Sequence, residues 1–470
     1  MKSLHVLIFA YLVVLGATEL GAQVRWSADE IVRAGTGADV KMGFNNTHVV
    51  AAIGSTRFMT WIRGDSLVVA SSQNGSVWGV PVLITKVNAL SANLPTLAAL
   101  SDGKLCVGWT EAQGLKTSFS ADGGKTWLAA QTLASKGGGV CLAAGEDGVL
   151  YALWHSGGDD TPSDIMFATW QNGVWSPAKA IDVAAATNAA LWGSLCIVGN
   201  RIYAVWRENT TGQFRIYLTR SQNGGMTWDA PRNIITEDRS GDPSVAESSG
   251  QLVVAYQRAQ QIYTTISTDD GITFNPPRLM GNGLFARIVS NQNGFFALAW
   301  ERFIGDAKND QTKQVGFAYS TDYGYVWSAD SALTPMGSKL ALVNITAPSE
   351  LTITWLNTNN SGAVMAKRAT HSGTTSVRNG VDAAPTLELS ITPSPIAEQA
   401  TVRFALPKRE RVKLVLYDVL GREIAQILDK EASIGEHIVT VNQPNLPGGV
   451  YFVRLQTPTF SQTQPVQVLR

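Results

Sequence analysis

The sequence predicts an all-β protein: a seven-bladed β-propeller, with six blades as the alternative, followed by a small Ig-like β-sandwich. Three observations predict it. The 470 residues are 45% apolar and only 16% charged, with 44 Gly and 14 Trp. That balance suits turn-rich sheets and argues against coiled coils and disordered chains. A turn motif, first complete in "SADGGKTW" (Ser120 to Trp127), recurs along the chain. An apolar strand that ends in an aromatic recurs as well.

The elements follow in order. Residues 1–22 begin with Lys2, continue as an apolar run and end in small residues near Ala22, the pattern of a secretory signal peptide, too short to span a membrane. No other stretch is long and apolar enough to cross one. Residues 23–380 carry the repeats. The turn motif appears as Ser120, Asp122, Gly124 and Trp127; as Ser221, Asn223, Gly225 and Trp228; as Ser267, Asp269, Gly271 and Phe274; and as Ser320, Asp322, Gly324 and Trp327. Worn copies end at Trp78 and Trp175, so the aromatic ends lie 46 to 53 residues apart. Such a period means one structural unit copied along the chain.

The strand landmark ends at Trp61, Trp109, Trp154, Trp206, Tyr256, Trp300 and Trp355. After Trp355 the seventh unit has no turn motif of its own. "WSADEIV" at Trp26 matches "WSADSAL" at Trp327, which does follow a turn motif. The N-terminal segment, residues 24–34, is therefore expected beside "GAVMAKRAT", closing the ring so that no sheet edge stays open. Within the motif, Asp or Asn accepts hydrogen bonds from turn amides, Gly takes φ > 0, and the aromatic packs between sheets. These residues are structural punctuation.

A four-stranded blade places the turn motif on one face and the joins between its second and third strands on the other. The residues just past each landmark aromatic mark the second face: Arg63, Asp65, Glu111, His155, Arg207, Glu208, Arg258, Glu301, Arg302 and Asn357. Arg63, Arg207, Arg258 and Arg302 are the candidate ligand-binding residues, because guanidinium matches a carboxylate bidentately. Asp65, Glu208 and Glu301 are the candidate catalytic carboxylates. The alternative is a solvated rim whose charges pair locally. The tripeptide "RGD" at Arg63 to Asp65 has little specificity by itself.

Lys+Arg and Asp+Glu number 37 each, without the basic excess of a nucleic-acid binder. Cys106, Cys141 and Cys196 sit in apolar strand-like runs, read as small buried hydrophobes. The five histidines do not cluster. Neither a metal nor another cofactor is expected.

The repeats resemble the Asp-boxes, or BNR repeats, of the sialidase-like superfamily, over residues 24 to about 375. That resemblance implies the propeller. Sialidases of this fold use three arginines, a Tyr–Glu nucleophile pair and an Asp acid/base, with an "F/Y-R-I-P" signature in the first blade. Here that signature is absent; "FRIY" at Phe214 to Tyr217 lies in a third strand and lacks the Pro. The reading is a non-catalytic propeller that binds glycan or a surface protein, with an exo-acting, sialidase-like glycoside hydrolase on acidic glycans as the alternative.

Residues 381–387 read as a linker, and 388–470 as short alternating strands of a sandwich. Tyr417, Asp418, Gly421 and Arg422, with Gly448, Gly449, Val450, Tyr451, Phe452 and Leu455, closely resemble the two signatures of the C-terminal sorting domain of type IX secretion cargo. The resemblance implies that the type IX machinery is a partner, and that the protein is exported to be secreted or attached to the outer cell surface.

Overall fold

The computed structural model describes residues 24–371 and 389–468, apart from 36–39, 44–46, 74–76, 89–90, 92, 158–160, 183–188, 210–212, 238, 292, 393–398, 407–409, 420, 433–434, 443–445 and 458–460. The expected signal peptide and the linker at 381–387 lie outside the described residues.

Up to His371 the described residues form seven antiparallel sheets in chain order. The fourth shows the plan: Ala189–Val198, Arg201–Asn209, Phe214–Ser221 and Arg232–Ile235 pair as neighbours from the inside out. Each sheet touches the next through its innermost strand, and the innermost strand of the seventh, Ser338–Ala347, touches Val50–Ile53 of the first. The sheets thus close into a ring, the β-propeller that the repeats predict.

Closure uses the N-terminus. Val24–Trp26 and Glu30–Arg33 pair antiparallel with Ala363–His371, Trp26 opposite Ala369 and Glu30 opposite Ala366. This is the position expected from the match between Trp26 and Trp327. Glu30 also reaches the first sheet, where it accepts from Arg57 Nη2 at 3.1 Å and Trp78 Nε1 at 3.0 Å, while Arg368 Nε donates to it at 3.0 Å.

The landmark aromatics Trp61, Trp109, Trp154, Trp206, Tyr256, Trp300 and Trp355 are all buried. The core is therefore not one cluster but a series of seams between sheets. One seam joins Ala246, Val253 and Ile262 of the fifth sheet to Phe296, Trp300 and Trp327 of the sixth. Burying such side chains contributes about 1.5–3 kcal/mol each. Cys106 and Cys141 are buried and Cys196 half-buried, all three free, and burial raises each thiol's pKa.

The turn motif works as its residue types require. Asp122 Oδ1 accepts from the amides of Lys125 at 3.0 Å and Thr126 at 2.9 Å, and Ser120 Oγ accepts from Gly124 N at 2.9 Å. Ser221, Ser267 and Ser320 make the same bond to Gly225, Gly271 and Gly324. In the last position of the bonded turn Gly124 has φ +79°, which favours glycine. The Thr126 hydroxyl and amide hold the Asp122 carboxyl down to about 2.

Beyond the propeller, Ser390–Thr392, Gln399–Leu406 and Gly435–Asn442 form one sheet. Glu423–Ala432, Glu410–Asp418, Gly449–Gln456 and Ser461–Val468 form a second. Val402, Phe404, Leu414, Leu416, Val453 and Leu455 share one core between them, the sandwich arrangement.

Candidate functional site

Strand pairing decides which residues share the channel mouth. The start of each inner strand lies opposite the end of the second: Gly138 faces His155, Leu191 faces Arg207, Ser240 faces Arg258, Leu284 faces Glu301 and Ser338 faces Asn357. The turn motifs follow the far end of the third strands, on the opposite face.

At this mouth, six sheets carry the same irregularity. The register between the first and second strands slips across Asn93/Thr96, Gly138/Cys141, Leu191/Ser194, Gly241/Ser244, Leu284/Arg287 and Lys339/Leu342. Within each slip one residue has positive φ: Leu94 at 52°, Gly139 at 64°, Trp192 at 56°, Asp242 at 48°, Phe285 at 56° and Leu340 at 56°. Left-handed backbone costs a non-glycine residue about 1–2 kcal/mol. β-Bulges re-aim side chains and cluster near functional sites. Four of the six, Leu94, Trp192, Phe285 and Leu340, are large, apolar and half-buried. Trp192 packs on the His155 ring with centroids 5.2 Å apart, and a Cβ at Gly139 would stand 3.2 Å from its Cε3.

Residues next to the landmark aromatics hold these bulges in place. Glu301, after Trp300, accepts from Leu340 N at 2.7 Å; Gln257, after Tyr256, accepts from Phe285 N at 3.0 Å. Glu301 is 2% exposed, and burial raises its pKa while Lys313, at 3.6 Å, opposes the rise. This carboxylate, a catalytic candidate from sequence, thus has a backbone partner across a sheet seam. Glu208 accepts from Trp206 Nε1 at 2.9 Å. Asp65 is exposed and pairs with Lys86 at 2.9 Å.

Three of the four rim arginines have carboxylates of their own. Arg207 lies 3.4 Å from Asp242 and over the Phe214 ring. Arg258 lies 3.2 Å from Glu237 and over Tyr263. Arg302 lies 3.1 Å from Asp330 and donates to Gln314. Arg63 alone of the four has no hydrogen-bond or ion-pair partner among the described residues.

One acid that the motifs did not mark is Asp182, between the third and fourth sheets. It is 9% exposed, and among the described residues neither oxygen meets a donor in hydrogen-bonding geometry. Burial pushes its carboxyl up to about 7; the amides of Ile165 and Asp182 oppose this, and Asp164 and Glu208 add repulsion.

Deeper in the channel a cavity of about 400 Å³ is lined by the inner strands. Arg287 crosses it, donating from Nε to Val343 O at 3.0 Å and meeting His48 Nδ1 at 2.7 Å from Nη2. Burial lowers the pKa of both, that of Arg287 to about 10 and that of His48 well below the ordinary value. Among the described residues no three His, Cys, Asp or Glu side chains are placed to hold a metal ion.

Comparison with known proteins adds two findings. Residues 390–468 match the family described as the secretion system C-terminal sorting domain. Solved structures with TM-scores above 0.5 share the fold. The polysaccharide lyase Uly1 is 10% identical with a TM-score of 0.52, covering 74% of this chain and 99% of its own. A PL25 ulvan lyase bound to -[GlcA(1-4)Rha3S]- is 9% identical with a TM-score of 0.52, covering 74% and 98%. PorZ, a surface component of the type IX secretion system of Porphyromonas gingivalis, is 14% identical with a TM-score of 0.44, covering 91% of this chain and 60% of its own. No curated protein matches the sequence. The tail is therefore a type IX sorting domain, and the protein is exported, to be secreted or attached at the cell surface. Among the described residues no helix is long and apolar enough to cross a membrane.

Proposed function

We propose that this exported propeller binds a glycan at its channel mouth and does so without cleaving it. The observation that carries the reading is the set of bulges with Trp192 and Phe285 at positive φ. Half-buried aromatics held by a strained but buttressed backbone suit the apolar face of a pyranose ring, since their two-torsion side chains lose little freedom on binding. The turn motifs on the far face are Asp-boxes with a structural role only. The test is a glycan array probed with the full chain and with Trp192→Ala and Phe285→Ala. Loss of the same glycans in both variants, with unchanged melting, supports the reading; retention in both refutes it.

Asp182 favours a second reading, an exo-acting glycoside hydrolase of the sialidase type. A carboxyl near 7 beside Glu208 and Asp164 is protonated in part at neutral pH, which suits a general acid. A fluorogenic glycosidase panel decides it: turnover by the wild type that is lost in Asp182→Asn would make the protein an enzyme.

A further inference from the structure

We propose that the cleft between the N-terminal strand and the first sheet is an oxyanion site that takes the carboxylate or sulfate of an acidic sugar. This site lies on the rim of the first sheet, shares no residue with the bulges of the other six, and does not depend on the reading given for them.

The cleft has a volume of about 560 Å³ and is lined by Arg33 and Arg63, by Trp61, and by Val80, Pro81 and Leu83. Arg33 ends the N-terminal strand and Arg63 ends the second strand of the first sheet, so the closure of the ring itself brings the two guanidiniums to one cavity. Both are half-buried, and among the described residues neither guanidinium has a hydrogen-bond or ion-pair partner. The nearest lining carboxylate, Asp65, is taken: Lys86 Nζ lies 2.9 Å from both of its oxygens, and Ser66 Oγ donates to it at 2.9 Å. Trp61 is 0% exposed, and among the described residues its Nε1–H has no acceptor. A buried donor without an acceptor is destabilising, and native folds rarely leave one so. Among the described residues the cavity thus gathers two uncommitted cationic forks and an unsatisfied N–H, and its one lining carboxylate, Asp65, is already paired.

That set matches an oxyanion. Guanidinium pairs bidentately with planar carboxylate and with sulfate, and an indole N–H completes a third contact. The same cleft is lined by Val80, 89% exposed, by Pro81, and by Leu83, 49% exposed, on the outer strand Val82–Lys86. An apolar ledge next to a cationic floor suits a ring with one apolar face and one anionic substituent, hence an acidic sugar over a bare inorganic ion. The rim arginines 207, 258 and 302 lack this freedom, each being neutralised by a neighbour.

Isothermal titration of the full chain at low salt tests it, with glucuronic acid and glucose 6-sulfate as the acidic probes and glucose as the neutral control. The wild type is expected to bind at least one acidic probe saturably and glucose not at all. Arg63→Gln and Arg33→Gln are each expected to weaken that binding by about tenfold or more, as for a lost charge-assisted contact. Trp61→Phe keeps the ring, removes the N–H and weakens binding less. Carboxylate-only or sulfate-only binding names the preferred group. Arg33 lies on the closing strand; if Arg33→Gln lowers the melting temperature, Arg63→Gln decides by itself, because its side chain ends a surface hairpin. No saturable heat from either acid, equal binding of glucose, or wild-type affinity in Arg63→Gln overturns the site. Trp192→Ala leaves this binding intact, which separates its failure from failure at the mouth.

Discussion

Glu30 and Arg57 form a buried ion pair at 3.1 Å, 5% and 2% exposed, between the N-terminal strand and the first sheet. Arg368 of the seventh sheet holds the other oxygen at 3.0 Å. One carboxylate therefore ties together the three pieces that meet where the ring closes.

Breaking a buried pair by removing one partner leaves an uncompensated charge and costs about 3–5 kcal/mol. Glu30→Gln strands Arg57 and is expected to destabilise the propeller by about 3 kcal/mol. Urea unfolding followed by tryptophan fluorescence measures it. A midpoint equal to that of the wild type would show that the clasp is dispensable.

Ser120 is 1% exposed and accepts from Gly124 N. Ser120→Ala is expected to cost about 1 kcal/mol, the usual net value of one such hydrogen bond. Asp122→Ala, in the same turn, is expected to lower the melting temperature and to leave every ligand affinity unchanged. Loss of binding without loss of stability would move function to this face.

Glu301 serves the bulge at Leu340, so Glu301→Gln retains an acceptor for that amide while Glu301→Ala removes it. Calorimetric melts are expected to rank wild type and Gln close together and Ala lower by about 1–3 kcal/mol. A catalytic carboxylate would give another pattern: any turnover abolished in both variants alike.

Burial raises the Asp182 carboxyl in the folded protein to about 7, from an ordinary value of 3.8. A raised carboxyl favours the folded state fully only below the unfolded value. Its contribution is lost as the pH climbs toward 7 and stays lost above it. Asp182→Asn is expected to flatten stability between about pH 4 and pH 7, by at most about 4 kcal/mol at 1.36 kcal/mol per pH unit. Unfolding free energies of both proteins across that range settle the sign.

Deleting residues 388–470 is expected to leave a folded propeller in the periplasm of a host with a type IX system. Fractionation and blotting check this; wild-type levels of the truncated protein outside the cell would remove the sorting role.

The fold was legible because its constraints are local and repeated. A turn that needs Gly124 at φ +79° and an acceptor at Asp122 selects residue types, and copying it makes the period visible. Even the closing strand could be read, since Trp26 repeats the context of Trp327. The mouth was not legible in the same way. Leu94, Gly139, Trp192, Asp242, Phe285 and Leu340 hold one backbone position with unrelated side chains, and their bulges arise from strand register, which no residue type announces. Position after a landmark aromatic located Arg207, Arg258 and Arg302 on the right face. It could not foresee Asp242, Glu237 and Asp330 beside them, because those partners come from other strands or from the next sheet. Arg33 escaped notice for the same reason: its neighbour in space, Arg63, belongs to a sheet on the other side of the seam.

The clasp at Glu30 spans 338 residues of chain to reach Arg368. Nearly the whole propeller must therefore exist before its first strand can take its place. Contacts of such long sequence separation slow folding, since their loop-closure entropy is lost before their energy is gained. Until then Ala363–His371 has one edge unpaired, a template for strand addition by another chain. The protein's most vulnerable moment is thus an early one, in transit rather than at its destination. A peptide copying residues 24–33, supplied while the ring is still open, would compete for that edge.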